Sequence, residues 1–124
     1  MKLYISGKIT GLTEQECELS FEKGEDYARS IGKDFINPFQ AMKTRYWASK
    51  YLPLSMDGFF NCEAYLISPT DEDAWVKFML ADLAILMTSC DTIYMLKGWE
   101  NSKGARIEHF TALEMGIQVI YEEY

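Results

Sequence analysis

The sequence contains few residues of the types that form a disulfide framework or a metal centre. Only three of its 124 residues are cysteine and one is histidine. Cys17, Cys62 and Cys90 are odd in number and widely spaced, which argues against both disulfide pairing and a structural zinc site. His109 adds no ligand cluster, because zinc sites normally need several clustered ligands. We therefore predict no metal ion, and we expect the cysteines to pack as small apolar side chains.

Long apolar runs and basic charge are also scarce. No run approaches the length needed to span a bilayer, and residues 1–6 enter strand-like sequence at once, without a signal-peptide pattern. The formal net charge is −7 at pH 7, which disfavours nucleic acid polymers because their binding depends on clustered lysine and arginine. These features predict a cytoplasmic protein with no membrane or nucleic acid polymer partner. A free nucleotide stays open as a ligand.

The apolar pattern alternates between strands and helices along the chain. Gly32 follows the first predicted helix in the usual position of a left-handed cap, and the last predicted helix ends at Gly116. Strands that alternate with helices imply a parallel sheet covered on both faces. We therefore expect one α/β domain over residues 1–124, a flavodoxin-like or Rossmann-like three-layer domain with a mainly parallel sheet of about four to five strands. The predicted strands are residues 3–6, 35–38, 92–96 and 117–121, and the predicted helices are about 14–30, 71–88 and 103–115.

Residues 39–70 break this alternation. Their periodicity is poor, and they are rich in aromatic side chains such as Tyr46, Trp47 and Tyr65. We interpret the segment as an irregular, partly helical insertion after the second strand. Long loops of this kind are often functional. The sequence is compatible with two roles for this segment, a lid over a substrate or additional hydrophobic core for a small domain.

Two carboxylates stand among apolar residues in predicted helices. Glu108 follows the loop after the third strand, and Asp82 interrupts an apolar stripe that includes Phe78 and Leu86. Buried carboxylates are costly unless they are paired or used, so these two are the first candidates for chemistry. We expect the helix N-terminus to favour the charged form of Glu108. The apolar surroundings of Asp82 should disfavour its charged form and keep a proton available.

Two loops lie where a parallel α/β sheet collects its ligands. Such ligands bind at the carboxyl ends of the strands, where the strand order reverses, and residues 7–11 and 98–102 follow the first and third strands. Gly7 and Gly11 lack the G-x-G-x-x-G spacing, and the second strand lacks the acidic residue of dinucleotide sites. We therefore expect a small-molecule site without a dinucleotide or any other cofactor.

Three ordered segments resemble the nucleoside 2-deoxyribosyltransferase superfamily. They are residues 4–11 (YISGKITG), residues 82–84 with 90–91 (DLA and CD), and residues 98–108 (GWENSKGARIE). The resemblance is to small uncharacterised members, and it spans nearly the whole chain except the aromatic insertion. It implies an enzyme, an N-glycosidase or nucleoside 2-deoxyribosyltransferase that acts on 2′-deoxyribonucleosides or their 5′-monophosphates. It also implies a homo-oligomer.

The resemblance implies a role for each matching catalytic residue. Glu108 matches the nucleophile that forms a covalent glycosyl-enzyme intermediate, and Asp82 matches the acid that engages the leaving base and helps to protonate it. Tyr4 matches the tyrosine that hydrogen-bonds the nucleophile and orients it. Elementary chemistry is consistent with these roles, because one carboxylate traps the oxocarbenium character of the sugar while a second group protonates the departing base.

Ser102 bears on the choice of substrate. The matching position usually holds a carboxylate in the transferases, and it holds a phosphate-contacting serine in the 2′-deoxynucleoside 5′-phosphate N-hydrolases. Thr10 stands where those hydrolases carry an arginine, which is a departure from their pattern. The predicted substrate-binding residues are Ser102, Gly7, Lys8, Ile9, Thr10, Gly11, Asn37, Pro38, Gly98, Asn101 and Gly104.

Simpler explanations of the main candidates stay open at this point. Ser102 can cap its helix by accepting from a first-turn amide, a role that is compatible with phosphate binding at the same helix N-terminus. Glu108 can be a solvated surface residue, as most glutamates are. Tyr4 can be core filling in a strand.

Charged and aromatic neighbours have two explanations as well. Lys8 and Lys103 can neutralise a phosphate or be solvated surface residues. Trp47 and Trp75 can stack on a nucleobase or pack in the core.

Two other classes of function also stay open. The chain can be a non-catalytic nucleotide-binding or sensing module with the same fold, or an interaction protein whose acidic surface docks a basic partner. Within the enzyme class, hydrolysis and transfer share one intermediate and differ in whether water or a second base resolves it. The sequence does not choose between these.

Overall fold

A parallel four-stranded sheet forms the centre of the structure, a computed structural model that describes residues 1–41 and 74–123. Residues 42–73, which hold most of the predicted aromatic insertion with Trp47 and Cys62, lie outside the described residues. The strands are β1 (Lys2–Ser6), β2 (Phe35–Ile36), β3 (Cys90–Met95) and β4 (Gln118–Tyr121). The helices are α1 (Glu14–Ser30), α2 (Pro38–Ala41), α3 (Ala74–Ser89) and α4 (Lys103–Met115), with a 3-10 turn (Trp99–Asn101) before α4.

The strand order is β2-β1-β3-β4, and each neighbouring pair is parallel. The chain places β2 on one side of β1 and then crosses to place β3 on the other side, so the order reverses between β1 and β3. Ligands of such sheets bind in the crevice beyond the carboxyl ends of the two strands at this point. The predicted α/β fold with a parallel sheet, flavodoxin-like or Rossmann-like, is confirmed.

Apolar side chains cover both faces of the sheet, because successive residues of a strand point to opposite faces. Leu3 and Ile5 of β1 pack in one cluster with Cys17 and Phe21 of α1. Tyr4, between them in sequence, packs in a second cluster with residues of α3 and α4. The sheet therefore lies between α1 on one face and the pair α3 and α4 on the other, which is the predicted three-layer arrangement.

Local signals set both ends of α1. The Thr13 hydroxyl accepts from the Glu16 N–H at 3.1 Å, and the Glu16 carboxylate accepts from the Thr13 N–H at 2.9 Å, which is a capping box. Gly32 follows the helix with a φ of 70°, as predicted for its cap. Midway, Gly24 allows close packing, because a Cβ there would lie 2.6 Å from the Ile5 side chain.

The second strand is shorter than predicted. β2 ends at Ile36 rather than at residue 38, because Asn37 caps a short helix instead of continuing the strand. The Asn37 Oδ1 accepts from the Gln40 N–H at 3.2 Å. Pro38 has no N–H to donate to a neighbouring strand and suits the first position of a helix.

The remaining described elements agree with the sequence predictions, except that β3 begins at Cys90, two residues earlier than predicted, and ends at Met95. Ser102 caps α4, and Gly116 ends it with a φ of 71°, so the predicted bounds are confirmed. Cys17 and Cys90 are buried free thiols, as expected for packing residues. Across residues 1–41 and 74–123, no helix has the length and apolar character needed to cross a membrane.

Candidate active site

A cavity of about 450 Å³ lies beyond the carboxyl ends of β1 and β3, at the point where the strand order reverses. Its walls come from the loop after β1, from α3, and from the start of α4. This volume is within the usual range for small-molecule sites. The lining residues are Gly7, Lys8, Ile9, Thr10, Phe21, Pro38, Trp75, Phe78, Met79, Asp82, Asn101, Ser102, Lys103, Gly104, Ala105 and Glu108.

Glu108 is the central polar group of this cavity. It lies on α4 with only 5% of its surface exposed, and both of its carboxylate oxygens are held by hydroxyl groups of β1. The Tyr4 hydroxyl donates to Glu108 Oε2 at 2.5 Å, and the Ser6 hydroxyl donates to Glu108 Oε1 at 2.8 Å. Tyr4 and Ser6 are two positions apart in a strand and so face the same side of the sheet. The carboxylate is therefore fixed in orientation at the floor of the cavity.

The surroundings of Glu108 work against its charge. Burial raises the pKa of Glu108 to about 7, although the hydrogen bonds from Tyr4 and Ser6 act in the opposite direction. We expected the helix N-terminus to favour the charged form of Glu108, and this expectation is wrong. Glu108 lies in the second turn of α4, beyond the first turn where the helix dipole acts most strongly, and loss of water dominates.

Asp82 brings a second carboxyl group to the same cavity from α3. It is half-buried, and its pKa is raised well above the usual value, first by burial and then by the charge of Glu108, while the nearby Tyr4 hydroxyl lowers it. The direction is the one predicted from its apolar helix. With two hydroxyl donors on Glu108, the pair favours a charged Glu108 beside a protonated Asp82. In such a state, a carboxylate is chemically able to act as a nucleophile beside a carboxylic acid that is able to donate a proton.

The start of α4 forms another wall of the cavity. The Ser102 hydroxyl accepts from the Ala105 N–H at 3.2 Å, so Ser102 is an N-cap as well as a lining residue. The Lys103 ammonium lies 5.1 Å from the centre of the Trp75 ring, a cation–π contact that joins α4 to α3. Gly104 allows this close approach, because a Cβ there would lie 3.1 Å from the Met79 sulfur.

The loop after β1 brings four of the predicted residues to the cavity, namely Gly7, Lys8, Ile9 and Thr10. Glycine at position 7 lets this loop pass close to Leu96, the residue that follows β3. A Cβ at this position would lie 2.7 Å from the Leu96 side chain, so a larger residue would shift the loop or Leu96. The predicted Pro38 and Asn101 also line the cavity.

Three of the predicted substrate-binding residues are not among the lining residues. Asn37 caps α2 and donates from its amide to Glu25 Oε2 at 3.0 Å. Gly11 and Gly98 have φ values of 87° and 85°, which explains glycine at both turns without a ligand. Trp47 lies outside the described residues.

Ser6 is the polar neighbour of the site that the sequence analysis missed. The period of two in β1 was the available signal, because it places Ser6 on the face of Tyr4. Apolar lining residues were missed as well, namely Phe21 of α1 and Phe78 and Met79 of α3. Within the part of the chain that the structure describes, no group of three or more histidine, cysteine or acidic side chains is arranged to hold a metal ion.

The fold and the cavity together define a parallel α/β domain with a paired-carboxyl site where its strand order reverses. The chain belongs to the family described as a domain of unknown function, DUF4406, whose model matches residues 1–70 and 67–121. Searches of curated proteins and of solved structures gave no significant match.

Proposed function

We propose that the protein cleaves or transfers the N-glycosidic bond of 2′-deoxyribonucleosides or their 5′-monophosphates through a covalent intermediate on Glu108. One observation carries this proposal. A buried carboxylate with both oxygens oriented by hydroxyl groups borders a small-molecule cavity that holds a second carboxyl group with a raised pKa. The resemblance of residues 4–11, 82–84 with 90–91, and 98–108 to nucleoside 2-deoxyribosyltransferases supports the substrate class.

The first chemical step uses the two acids in different roles. A Glu108 oxygen attacks the anomeric carbon and forms a carbon–oxygen bond while the bond from that carbon to the base nitrogen breaks. The base leaves with the bonding electron pair and takes the proton of Asp82. Tyr4 and Ser6 hold the Glu108 carboxylate in the attacking orientation, which lowers the entropic cost of the step.

The second step regenerates both groups. Water, or the N–H of a second base, attacks the anomeric carbon, gives its proton to the Asp82 carboxylate, and displaces Glu108 as a carboxylate. Water gives hydrolysis, and a base gives transfer. Ser102 and the start of α4 offer a place for a 5′-phosphate, since a helix N-terminus favours an anion, and Lys8 and Lys103 border the same cavity.

The experiment compares base release by the wild type and by matched variants. The protein is incubated with each common 2′-deoxyribonucleoside and its 5′-monophosphate, with and without an acceptor base, and free base is measured by chromatography. Glu108→Gln should lower release by on the order of 10³-fold or more while binding, measured by calorimetry, is retained. Glu114→Gln, the same change at an exposed position of α4, is the control and should retain activity.

Two results would contradict the proposal. Base release that persists in Glu108→Gln would mean that Glu108 is not the nucleophile. Binding of a nucleotide without release in any mixture would instead favour the sensing module.

We also propose that the protein is a cytoplasmic homo-oligomer. Large apolar side chains on the outer surfaces of α3 and α4 support association, among them Leu80, Phe110 and Leu113, which are 47%, 64% and 55% exposed. The free Cys17 and Cys90 thiols are consistent with a reducing compartment. Analytical ultracentrifugation of the wild type tests the assembly, and a monomer at micromolar concentration would contradict it.

A further inference from the structure

The Ser6 hydroxyl is a buried polar group on the same strand face as Tyr4. Ser6 is fully buried, and its hydroxyl donates to Glu108 Oε1 at 2.8 Å. Its backbone is held as well, because Ser6 pairs with Met95 in the sheet and its carbonyl accepts from the Leu96 N–H at 2.8 Å. The donor is therefore carried by a rigid strand rather than by a loop, which gives it a fixed direction.

We propose that Ser6 is a positioning residue that decides which acid of the Glu108–Asp82 pair holds the shared proton. The inference deepens the proposed function and rests on it for the catalytic consequence. A hydroxyl aimed at a carboxylate stabilises its charged form. By directing its proton at Glu108, Ser6 keeps the negative charge there and leaves the proton on Asp82.

The arrangement of donors also leaves Glu108 free to react. Tyr4 occupies one lone pair of Oε2 and Ser6 occupies one lone pair of Oε1. Each carboxylate oxygen has a second lone pair, so both hydrogen bonds can persist while one oxygen attacks the sugar. Two separate donors also fix the rotation of the carboxylate plane, which one donor alone would leave free.

Other charged and titratable groups face Glu108 from the surrounding elements. Tyr4 lies on β1 and Asp82 on α3, while Lys8 and Lys103 border the same cavity from the loop after β1 and from the start of α4. His109, the next residue of α4, contacts Tyr121 at 2.7 Å instead. Ser6→Ala replaces none of these side chains, and the Ser6 hydroxyl donates to Glu108 itself, so a change in where the proton resides can be assigned to loss of that hydroxyl.

A purely structural role for Ser6 makes a different prediction. A buried hydroxyl needs a partner, and a serine that only satisfies this need would affect stability without affecting protonation. Thr92 provides the matched control. It is a buried hydroxyl residue of β3 whose side chain donates to Asp91 at 3.1 Å, and it packs outside the cavity.

The test follows the Glu108 carboxyl carbon by ¹³C NMR as a function of pH in the full-length protein, with Glu108→Gln used for assignment. In Ser6→Ala the midpoint should rise by about one to two pH units, the size expected for a lost hydrogen bond to a charged group. Ser6→Cys retains a weaker donor and should show a smaller rise. If Ser6→Ala does not fold, the midpoint of Ser6→Cys provides the test. Thr92→Val should leave the midpoint unchanged.

The catalytic readout uses the substrate that the wild type cleaves best. The acid limb of the pH–rate profile of Ser6→Ala should move up by the same amount as the NMR midpoint, with about a tenfold fall in kcat at pH 6 for a one-unit rise and little change in KM. A midpoint that does not move in either Ser6 variant would overturn the inference. If the midpoint shifts but the protein releases base from no substrate, the proposed function is overturned. The placement of the proton by Ser6 then still stands.

Discussion

The buried Glu108 carboxyl predicts an unusual dependence of stability on pH. Its pKa is about 7 in the folded protein against an ordinary value of 4.5, because burial removes water from the charged form. Between these two pH values the folded chain holds a proton that the unfolded chain has released. The contribution of Glu108 to stability therefore falls as pH rises through this window and levels off above it. At about 1.4 kcal/mol per pKa unit, the loss over the whole window is about 3–4 kcal/mol.

Glu108→Gln isolates this contribution, because glutamine keeps the shape of the side chain and does not titrate. Urea unfolding is measured for the wild type and the variant from pH 4.5 to pH 8. The wild type should lose about 3 kcal/mol relative to Glu108→Gln across this range. Asp82 titrates together with Glu108, so the difference reports the pair rather than one isolated group. Glu114→Gln controls for the removal of one negative charge from a chain of net charge −7.

Two results would refute the reasoning about burial. A difference between the wild type and Glu108→Gln that stays flat from pH 4.5 to pH 8 would mean that burial does not raise the pKa of this carboxyl above its ordinary value. A wild type that gains stability relative to the variant with rising pH would mean that the hydrogen bonds from Tyr4 and Ser6 outweigh burial.

Three further variants test the site and the packing. Asp82→Asn should lower base release by about 10²–10⁴-fold and remove the basic limb of the pH–rate profile, and an unchanged basic limb would assign proton donation elsewhere. Gly24→Ala should destabilise the protein by about 1–3 kcal/mol in thermal unfolding, because its Cβ would lie 2.6 Å from the Ile5 side chain; an unchanged melting temperature would contradict the close contact of α1 and β1. Thr13→Ala should cost about 1 kcal/mol in urea unfolding through loss of the capping box with Glu16, and a gain in stability would contradict that role.

Local signals account for the helices that the sequence predicted well. α1 and α4 have the predicted bounds because a capping residue and a following glycine mark their ends, as Gly32 and Gly116 do. β2 was predicted too long because Asn37 and Pro38 favour a helix start as much as a strand end. This competition is decided by the Asn37 side chain, whose contacts appear only in the folded structure.

The site divides in the same way between local and tertiary information. The alternation of strands and helices predicted that the loops after β1 and β3 would meet, and the structure brings Glu108 and Asp82 to one cavity there. The raised pKa of Glu108 was not predictable, because its position on a helix gives no measure of how much water the sheet and α3 exclude. The alternation in β1 places Ser6 on the same face as Tyr4. This predicts a role for Ser6 only once Glu108 is known to lie against that face.

The covalent intermediate on Glu108 is tested most directly by mass spectrometry of protein quenched in acid during turnover of a 2′-deoxyribonucleoside or its 5′-monophosphate. Trypsin cleaves after Arg106, so Glu108 lies in the peptide that begins at Ile107. The account predicts a deoxyribosyl or phosphodeoxyribosyl mass increment on Glu108 in the wild type and none in Glu108→Gln. Base release with the increment on another residue, or with no increment when turnover is slow enough for the intermediate to accumulate, would contradict it.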